Sequence, residues 1–312
     1  MSPGLAQSVQ TRLVEHAKKI GVDPNLVLAR YATERFLYRL SRSRHADRFV
    51  LKGALLLLVW LGETIRPTRD ADLLGYGDVS DDALAATFAE ICGAEVEPDG
   101  MTFEASSIRI DAIRPEDDYD GQRVTLLGRL GPARLRVQVD VGIGDAVSPD
   151  PEWLDYPSLL DLPRPRLRAY RPETAIAEKV HAMLVLGAKN SRMRDFFDVH
   201  ALAMRGSFDG DVLARSFFTT FERRNTRIPT ELSIALTPAF ADVEGKGAQW
   251  SAFIRRIQPS AVAEDLHEVI GVIAKFVGPA LAAAARDPRC PFRWSPGGPW
   301  TPSGSTVEKL LT

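Results

Sequence analysis

Apolar positions along this chain recur at two different periods, and the period changes where the architecture should change. Residues 5–20 and 24–43 repeat their apolar positions at helical spacing. Asp23 is placed to cap the second stretch, and Pro24 sits in its first turn. There Leu26, Ala29, Arg30, Thr33, Phe36, Leu37 and Leu40 make a broad, largely apolar packing stripe. Phe49-Val50-Leu51 reads as a short buried strand, Lys52-Gly53 as a turn, and Ala54 to Leu61 as a buried helix. After the break at Arg66-Pro67 a strand carries Asp70 and Asp72, and residues 80–92 read as a helix. Met101 to Ile113 and Arg123 to Leu130 are expected as strands leading to another that carries Asp140.

Prolines at 149, 151, 157, 163 and 165 mark a crossing segment where the composition changes. Beyond it the pattern is helical over 173–188, 192–205, 209–222, 230–241, 247–256 and 260–285. Asp287 to Ser305 is rich in Pro, Gly and Ser and reads as an appended tail whose Trp294 and Trp300 could dock on the body. This divides the chain into a core with N-terminal helices over 1–160, a helical lobe over 161–286 and a tail over 287–312. There is no internal repeat and no heptad pattern.

Candidate chemistry lies on the strands. Two residues apart on a strand, Asp70 and Asp72 share a face with Cα atoms roughly 6.5 Å apart. Leu135, Val137 and Val139 alternate with Arg136, Gln138 and Asp140, which puts a third carboxylate on the polar face of a half-buried strand. If the two strands are neighbours, three acids meet. Carboxylates that close repel unless cations lie between them, and oxygen-only ligands suit Mg²⁺ or Mn²⁺. Upstream, Gly53 lets the backbone approach a phosphate, and the amides opening the next helix offer donors. This order points to two-metal phosphoryl or nucleotidyl transfer, with two ions about 3.5 to 4 Å apart. Thr68 lies on the face of Asp70, where its hydroxyl could meet a phosphate or satisfy a backbone group.

Past Pro172, Ile176, Val180, Met183, Leu184 and Gly187 form an apolar stripe, with Lys179 at its flank. The lysine can snorkel to solvent or neutralise a triphosphate, whereas Glu178 and His181 lie farther round and read as surface or interlobe contacts. Asp195 and Asp198 sit one turn apart among apolar residues and need a cation. Lys179, Arg192 and Arg194 are the candidates, as a structural ion pair or as a device that aims Lys179. The same helix carries Arg194 and His200, an Arg-x₄₋₆-His spacing that formally matches HEPN ribonucleases; a catalytically silent binding protein is the third class held open.

Composition sharpens the picture. The chain has 312 residues, 45% of them apolar and 26% charged, enough for one large core or two modest ones. Residues 1–12 lack a signal-peptide core, and the apolar run Ala54 to Leu61 is far short of the ~20 residues of a membrane span; a cytoplasmic protein without a membrane partner is expected. Cys92 and Cys290 read as structural. The net charge of −2 conceals a polarity: residues 70–120 hold fifteen acids against Arg109 and Arg114, while 164–194 hold eight Lys or Arg against Glu173 and Glu178. Held cations facing a basic wall would suit a triphosphate, with the 164–194 segment along an RNA backbone. The acidic run Glu116 to Asp120 reads simply as a solvated loop.

Five segments in order, Leu51-Lys52-Gly53-Ala54-Leu55-Leu56-Leu57, Arg66-Pro67-Thr68-Arg69-Asp70-Ala71-Asp72-Leu73, Val137-Gln138-Val139-Asp140-Val141-Gly142-Ile143-Gly144-Asp145, Ala177-Glu178-Lys179-Val180-His181-Ala182 and Asn190-Ser191-Arg192-Met193-Arg194-Asp195-Phe196-Phe197-Asp198, resemble the AbiEii/AbiGii nucleotidyltransferase toxin family. The resemblance runs from about Arg30 to Arg227. It implies an α+β fold, with a DNA polymerase β-like nucleotidyltransferase core on a mixed sheet and a helical lobe completing the active-site cleft. The implied activity is that of a toxin in a toxin–antitoxin or phage-defence pair, moving NMP from NTP onto RNA, at the tRNA 3′ acceptor end in similar mycobacterial proteins. By the resemblance Asp70, Asp72 and Asp140 hold the metal, Lys179 meets the triphosphate and Asp195 is a required acid. Lys52, Gly53, Thr68, Arg69, Arg194 and Asp198 complete the expected nucleotide-binding set. The implied partner is a winged-helix antitoxin from a neighbouring gene, and Thr68 matches a serine that is phosphorylated in some relatives. Ala54 departs from the usual Gly or Ser and removes a side-chain phosphate contact, leaving the backbone ones.

Overall fold

The structure, a computed structural model, describes residues 3–62, 68–113, 121–229, 231, 233–257 and 265–303. The break at Arg66-Pro67, the acidic loop Glu116 to Asp120, residues 260–264 of the last expected helix and the end of the tail lie outside these. The chain forms two compact units, one from Met1–Val59, Pro67–Gly144 and Glu152–Ala169, the other from Trp60–Arg66, Asp145–Pro151 and Tyr170–Thr312.

The first unit is a seven-stranded sheet with helices α1 (Pro3–Ile20), α2 (Pro24–Arg42) and α4 (Asp81–Cys92). Its strands are β1 (Phe49–Lys52), β2 (Ala71–Gly75), β3 (Met101–Ala112), β4 (Gly121–Leu130), β5 (Ala133–Ile143), β6 (Glu152–Asp155) and β7 (Arg166–Ala169), in the order β3-β4-β5-β2-β1-β7-β6. β2 and β5 pair in parallel, as do β1 and β7, and the other neighbours are antiparallel. The sheet is mixed, as expected for the α+β class. Helix α3 (Leu55–Leu61) follows the turn after β1.

Asp23 opens α2 by accepting from the Asn25 amide, the anticipated cap. The apolar stripe of α2 understates its burial, because Glu34, Arg35 and Arg39 are buried too. Arg39 grips both oxygens of Asp99 at 2.7 and 3.1 Å. Glu34 accepts from Arg35, the Ser158 hydroxyl and the Leu159 amide. Pairing lets these charges enter a core that would exclude them singly. One of the acids counted toward the anionic 70–120 stretch, Asp99, is therefore an interior ion-pair partner. The proline-marked crossing also contains β6 and β7, short strands flanked by prolines that periodicity over four residues does not expose.

The second unit is helical: α5 (Pro172–Leu186), α6 (Met193–Arg205), α7 (Gly210–Arg223), α8 (Lys246–Ile257) and α9 (Leu266–Ala284). The helix expected over 230–241 is instead two single 3₁₀ turns, Ile234–Leu236 and Pro238–Phe240. Pro238 has no N–H for an α-helical bond and its ring would clash one turn back. By length and composition α9 is apolar enough to cross a membrane, which a search for uninterrupted apolar runs missed because Lys275 divides it. Its Val269, Ile270, Ile273, Phe276, Val277 and Ala280 are fully buried, making α9 the core helix of this unit. The expected tail is folded: β9 (Phe292–Trp294) and β10 (Trp300–Pro302) make a three-stranded sheet with β8 (Phe208–Asp209). Trp294 and Trp300 do dock, donating their indole N–H groups to the carbonyls of Ala203 and Phe276.

Glu178 and His181, expected as surface or interlobe contacts, are buried, which excludes the surface half of that expectation. Glu178 accepts from the Tyr170 hydroxyl. His181 Nδ1 lies 3.1 Å from Arg224 Nη1 and its Nε2 lies 2.8 Å from Thr226 Oγ1. Arginine can only donate, so Nδ1 must accept and Nε2 carries the proton toward Thr226. Burial, then the Arg224 charge, lower the imidazole pKa to about 4. The unfolded chain binds a proton near the ordinary value of 6.5 and the folded chain resists it, so this histidine favours folding above pH 6.5 and that contribution drains as pH falls toward 4. The thermal midpoint should drop over that interval, and His181→Asn should flatten the dependence; an equally steep profile in the variant would exclude His181 as its source.

Candidate active site

β2 and β5 are adjacent and parallel, with Asp72 opposite Asp140. The row continues to Lys52 on the β1 side and to Arg123 on the β4 side. Two carboxylates thus stand side by side at mid-sheet with a cation beyond each. Directly opposed like charges destabilise a sheet, so this pair costs stability unless something positive sits over it. Arg123 supplies part of that charge through a fork of two 2.8 Å bonds, Nε to Oδ1 and Nη2 to Oδ2 of Asp140. Gln138 adds a long bond of 3.4 Å to Oδ1.

Asp70 lies one residue before β2, rather than on it. The chain reaches it through an anchor on α2, where the buried Thr33 hydroxyl donates to the Arg69 carbonyl at 3.1 Å. Partial desolvation, then the charge of Asp140, push the Asp70 carboxyl above its ordinary range, against the pull of Arg123, Arg136 and Arg69. Asp70 thus feels the charge of Asp140, which stands opposite Asp72 in the sheet register. Among the described residues no three His, Cys, Asp or Glu side chains converge tightly enough to be a ready-made metal cluster, and both Asp140 oxygens are engaged by Arg123.

Gly53 has φ +75°, and a methyl built on it would lie 2.0 Å from Asp72 Oδ2. The sequence predicts a glycine that admits a phosphate to the backbone; what occupies the space is the Asp72 carboxylate itself. Thr68 is half-buried and Arg69 exposed, both close in sequence to Asp70. Lys52 is buried.

In the second unit Lys179 of α5 lies between two acids of α6, with Nζ 2.6 Å from Asp195 Oδ1 and 2.9 Å from Asp198 Oδ2. Lys179, one of the three cations considered as partners for these acids, is placed against both. Asn190 Oδ1 accepts from the Arg192 amide at the start of α6, and Lys246 donates to the Asn190 carbonyl. Arg194 is exposed whereas His200 is buried, with a lowered pKa from that burial. Six residues apart on a helix, they are about 120° apart around the axis. They lie on different faces of α6, one exposed and one buried.

Sequence reasoning missed Arg123. The signal was present, because Gly131-Pro132 joins Leu130 to Ala133, and a two-residue hairpin fixes every later pair, including Arg123 with Asp140.

Comparison with curated proteins finds no match. Among solved structures, the chain is similar to MenT4, a nucleotidyltransferase toxin from Mycobacterium tuberculosis, at 19% identity and TM-score 0.48, covering 89% of this chain and 87% of that one. It is also similar to JHP933 from Helicobacter pylori at 14% identity and TM-score 0.43, covering 88% and 93%. A family model described as nucleotidyl transferase AbiEii toxin of type IV toxin–antitoxin systems matches residues 35–272. That span takes in both units and every segment of the carboxylate row, and it places the chain in the AbiEii family of nucleotidyltransferase toxins.

Proposed function

We propose that this toxin moves a nucleoside monophosphate from an NTP to an RNA 3′-hydroxyl, at the tRNA acceptor end, and so blocks translation. The observation that supports it is the in-register pair Asp72 and Asp140 with Asp70 beside them, an arrangement that costs stability unless a cation is brought to it. The donor chemistry suits a divalent ion: carboxylate oxygens favour Mg²⁺ or Mn²⁺, and Gly53 leaves room for the Asp72 carboxylate. Asp70 and Asp72 would hold it, with Asp140 joining once Arg123 lets go. When bound, the metal would supply charge stabilisation for the triphosphate and lower the pKa of the attacking hydroxyl.

The chain's own groups do the rest. Transfer forms a bond between the 3′ oxygen and the α-phosphorus and breaks the α–β bridge, releasing pyrophosphate, with the hydroxyl proton accepted by a carboxylate of the row. Arg123, Lys52 and Arg69 lie where they can offset phosphate charge. Roles for Thr68, Lys179, Asp195, Asp198 and Arg194 are carried over from the family resemblance. A winged-helix antitoxin encoded nearby, a part in phage defence and a cytoplasmic setting, where NTPs and RNA are abundant, belong to the same proposal.

Incubation with labelled NTPs, Mg²⁺ and total RNA should lengthen and label an RNA band of tRNA size, and chelation should stop it. Asp70→Ala should abolish labelling with little loss of thermal stability. Unchanged RNA with every NTP, or labelling retained by Asp70→Ala, would sink the assignment.

A further inference from the structure

Within the sheet unit a groove of about 510 Å³ opens between α2, the edge strand β6 and the run into β7, sharing no residue with the carboxylate row. Arg42, Arg164 and Arg166 line it together with Trp153 and Asp155. All three arginines are exposed, and none has an ion-pair partner among the described residues. The Trp153 indole is 46% exposed on the same groove. Three guanidiniums outnumber Asp155 and the neighbouring Glu97, which accepts from the lining Tyr38 hydroxyl and feels the Arg42 charge, and leave a net positive lining beside an open aromatic face.

The lining is held from below. Arg35 is fully buried under it, with its guanidinium 4.9 Å from the Tyr38 ring and a 3.0 Å bond to the Pro163 carbonyl, and both Tyr38 and Pro163 line the groove. Its charge is paired with the buried Glu34 carboxylate at 2.6 Å, so Arg35 serves the groove as a support for its floor. A buried arginine that orders two lining residues makes this a built surface.

We infer that this groove binds a single-stranded segment of RNA, with phosphates on Arg42, Arg164 and Arg166 and a base stacked on Trp153. Free phosphate would use the guanidiniums but not the indole, and an acidic peptide would leave the indole without a planar partner. A nucleic acid strand uses both, since backbone charge and base faces alternate along it. The inference deepens the RNA reading above and rests on it for the biological ligand. It also changes the expectation for the 164–194 segment. Arg164 and Arg166 act with Arg42, far away in sequence, whereas Lys179 is engaged with Asp195 and Asp198.

Binding is read by fluorescence anisotropy with the full chain and a short fluorescein-labelled single-stranded RNA, in EDTA without NTP, so that catalysis plays no part. Arg164→Glu/Arg166→Glu should weaken binding at least about ten-fold at low salt. It should also lower the slope of log affinity against log salt by about 1.4, or ~0.7 for each phosphate that no longer meets an arginine. Trp153→Ala should weaken binding about ten-fold and leave the salt slope unchanged. These side chains are exposed, so the thermal midpoint should hold in both variants. Affinity within two-fold of the parent in both variants overturns the inference, as does a groove that takes an acidic peptide competitor in preference to RNA. A chain that binds RNA through these residues yet labels none would sink the transferase reading alone. One that labels RNA while both variants bind normally would sink the groove alone.

Discussion

Gly53→Ala is expected to cut nucleotidyl transfer by about 100-fold or more while the protein stays folded. A methyl at this position would lie 2.0 Å from Asp72 Oδ2, 2.7 Å from its Cγ and 2.8 Å from its Cβ. Rotating the carboxylate cannot relieve all three contacts, so β1 and β2 must shift, or Asp72 must leave the row. A misplacement of about 1 Å in a reacting constellation costs on the order of 100-fold. The left-handed φ of +75° adds roughly 1–2 kcal/mol of strain for a side chain. Gly21→Ala separates the two effects, because Gly21 has φ +70° with nothing within 4 Å of the added methyl. It should lose similar stability and keep full transfer. Label transfer to RNA and thermal unfolding, measured on both variants, decide the matter; Gly53→Ala working within three-fold of the parent would show that Asp72 has no part near the reacting atoms.

Lys179→Ala should be the most destabilising single change in the helical unit. It removes the ammonium from two carboxylates whose side chains are 7% and 0% exposed. Removing one partner from a buried ion pair costs about 3–5 kcal/mol. In a unit of this size that corresponds to a midpoint about 10 °C lower. Replacing the whole triad, as Lys179→Met with Asp195→Asn and Asp198→Asn, should recover most of the loss, because no uncompensated charge remains. Transfer by that triple variant then separates the two roles kept open for the cluster. Recovered stability without transfer gives the cluster a part in the reaction, whereas recovery of both makes the triad a structural ion pair. A single variant as stable as the parent would contradict the burial argument.

Local signals carried most of the helices and the strands that bear Asp72 and Asp140, because each has a run at one period and a marked end: Asp23 before α2, Pro172 at the start of α5, glycine after β1. They failed where tertiary contacts decide. Nothing near Glu34, Arg35 and Arg39 in the sequence announces that these charges are interior, since their partners Asp99 and Ser158 lie far along the chain. The prolines around β6 and β7 mimic a loop, and the glycines and prolines of 287–303 mimic a disordered end. Within the candidate site, Asp72 and Asp140 were legible from strand alternation, whereas Asp70 lies just before its strand. The fork from Arg123 needed the hairpin register, and the space that Gly53 leaves for Asp72 needed coordinates.

The end of the chain has a practical bearing on how this toxin can be trimmed. Trp294 and Trp300 lie against Phe276, and Trp294 and the Gly297 amide both donate to the Ala203 carbonyl. A protein shortened after Ala285 would keep helices α1 to α9 yet carry a raw oily scar where the two indoles had been. Such a fragment should clump during purification, and loss of its toxicity would then report insolubility rather than damaged chemistry.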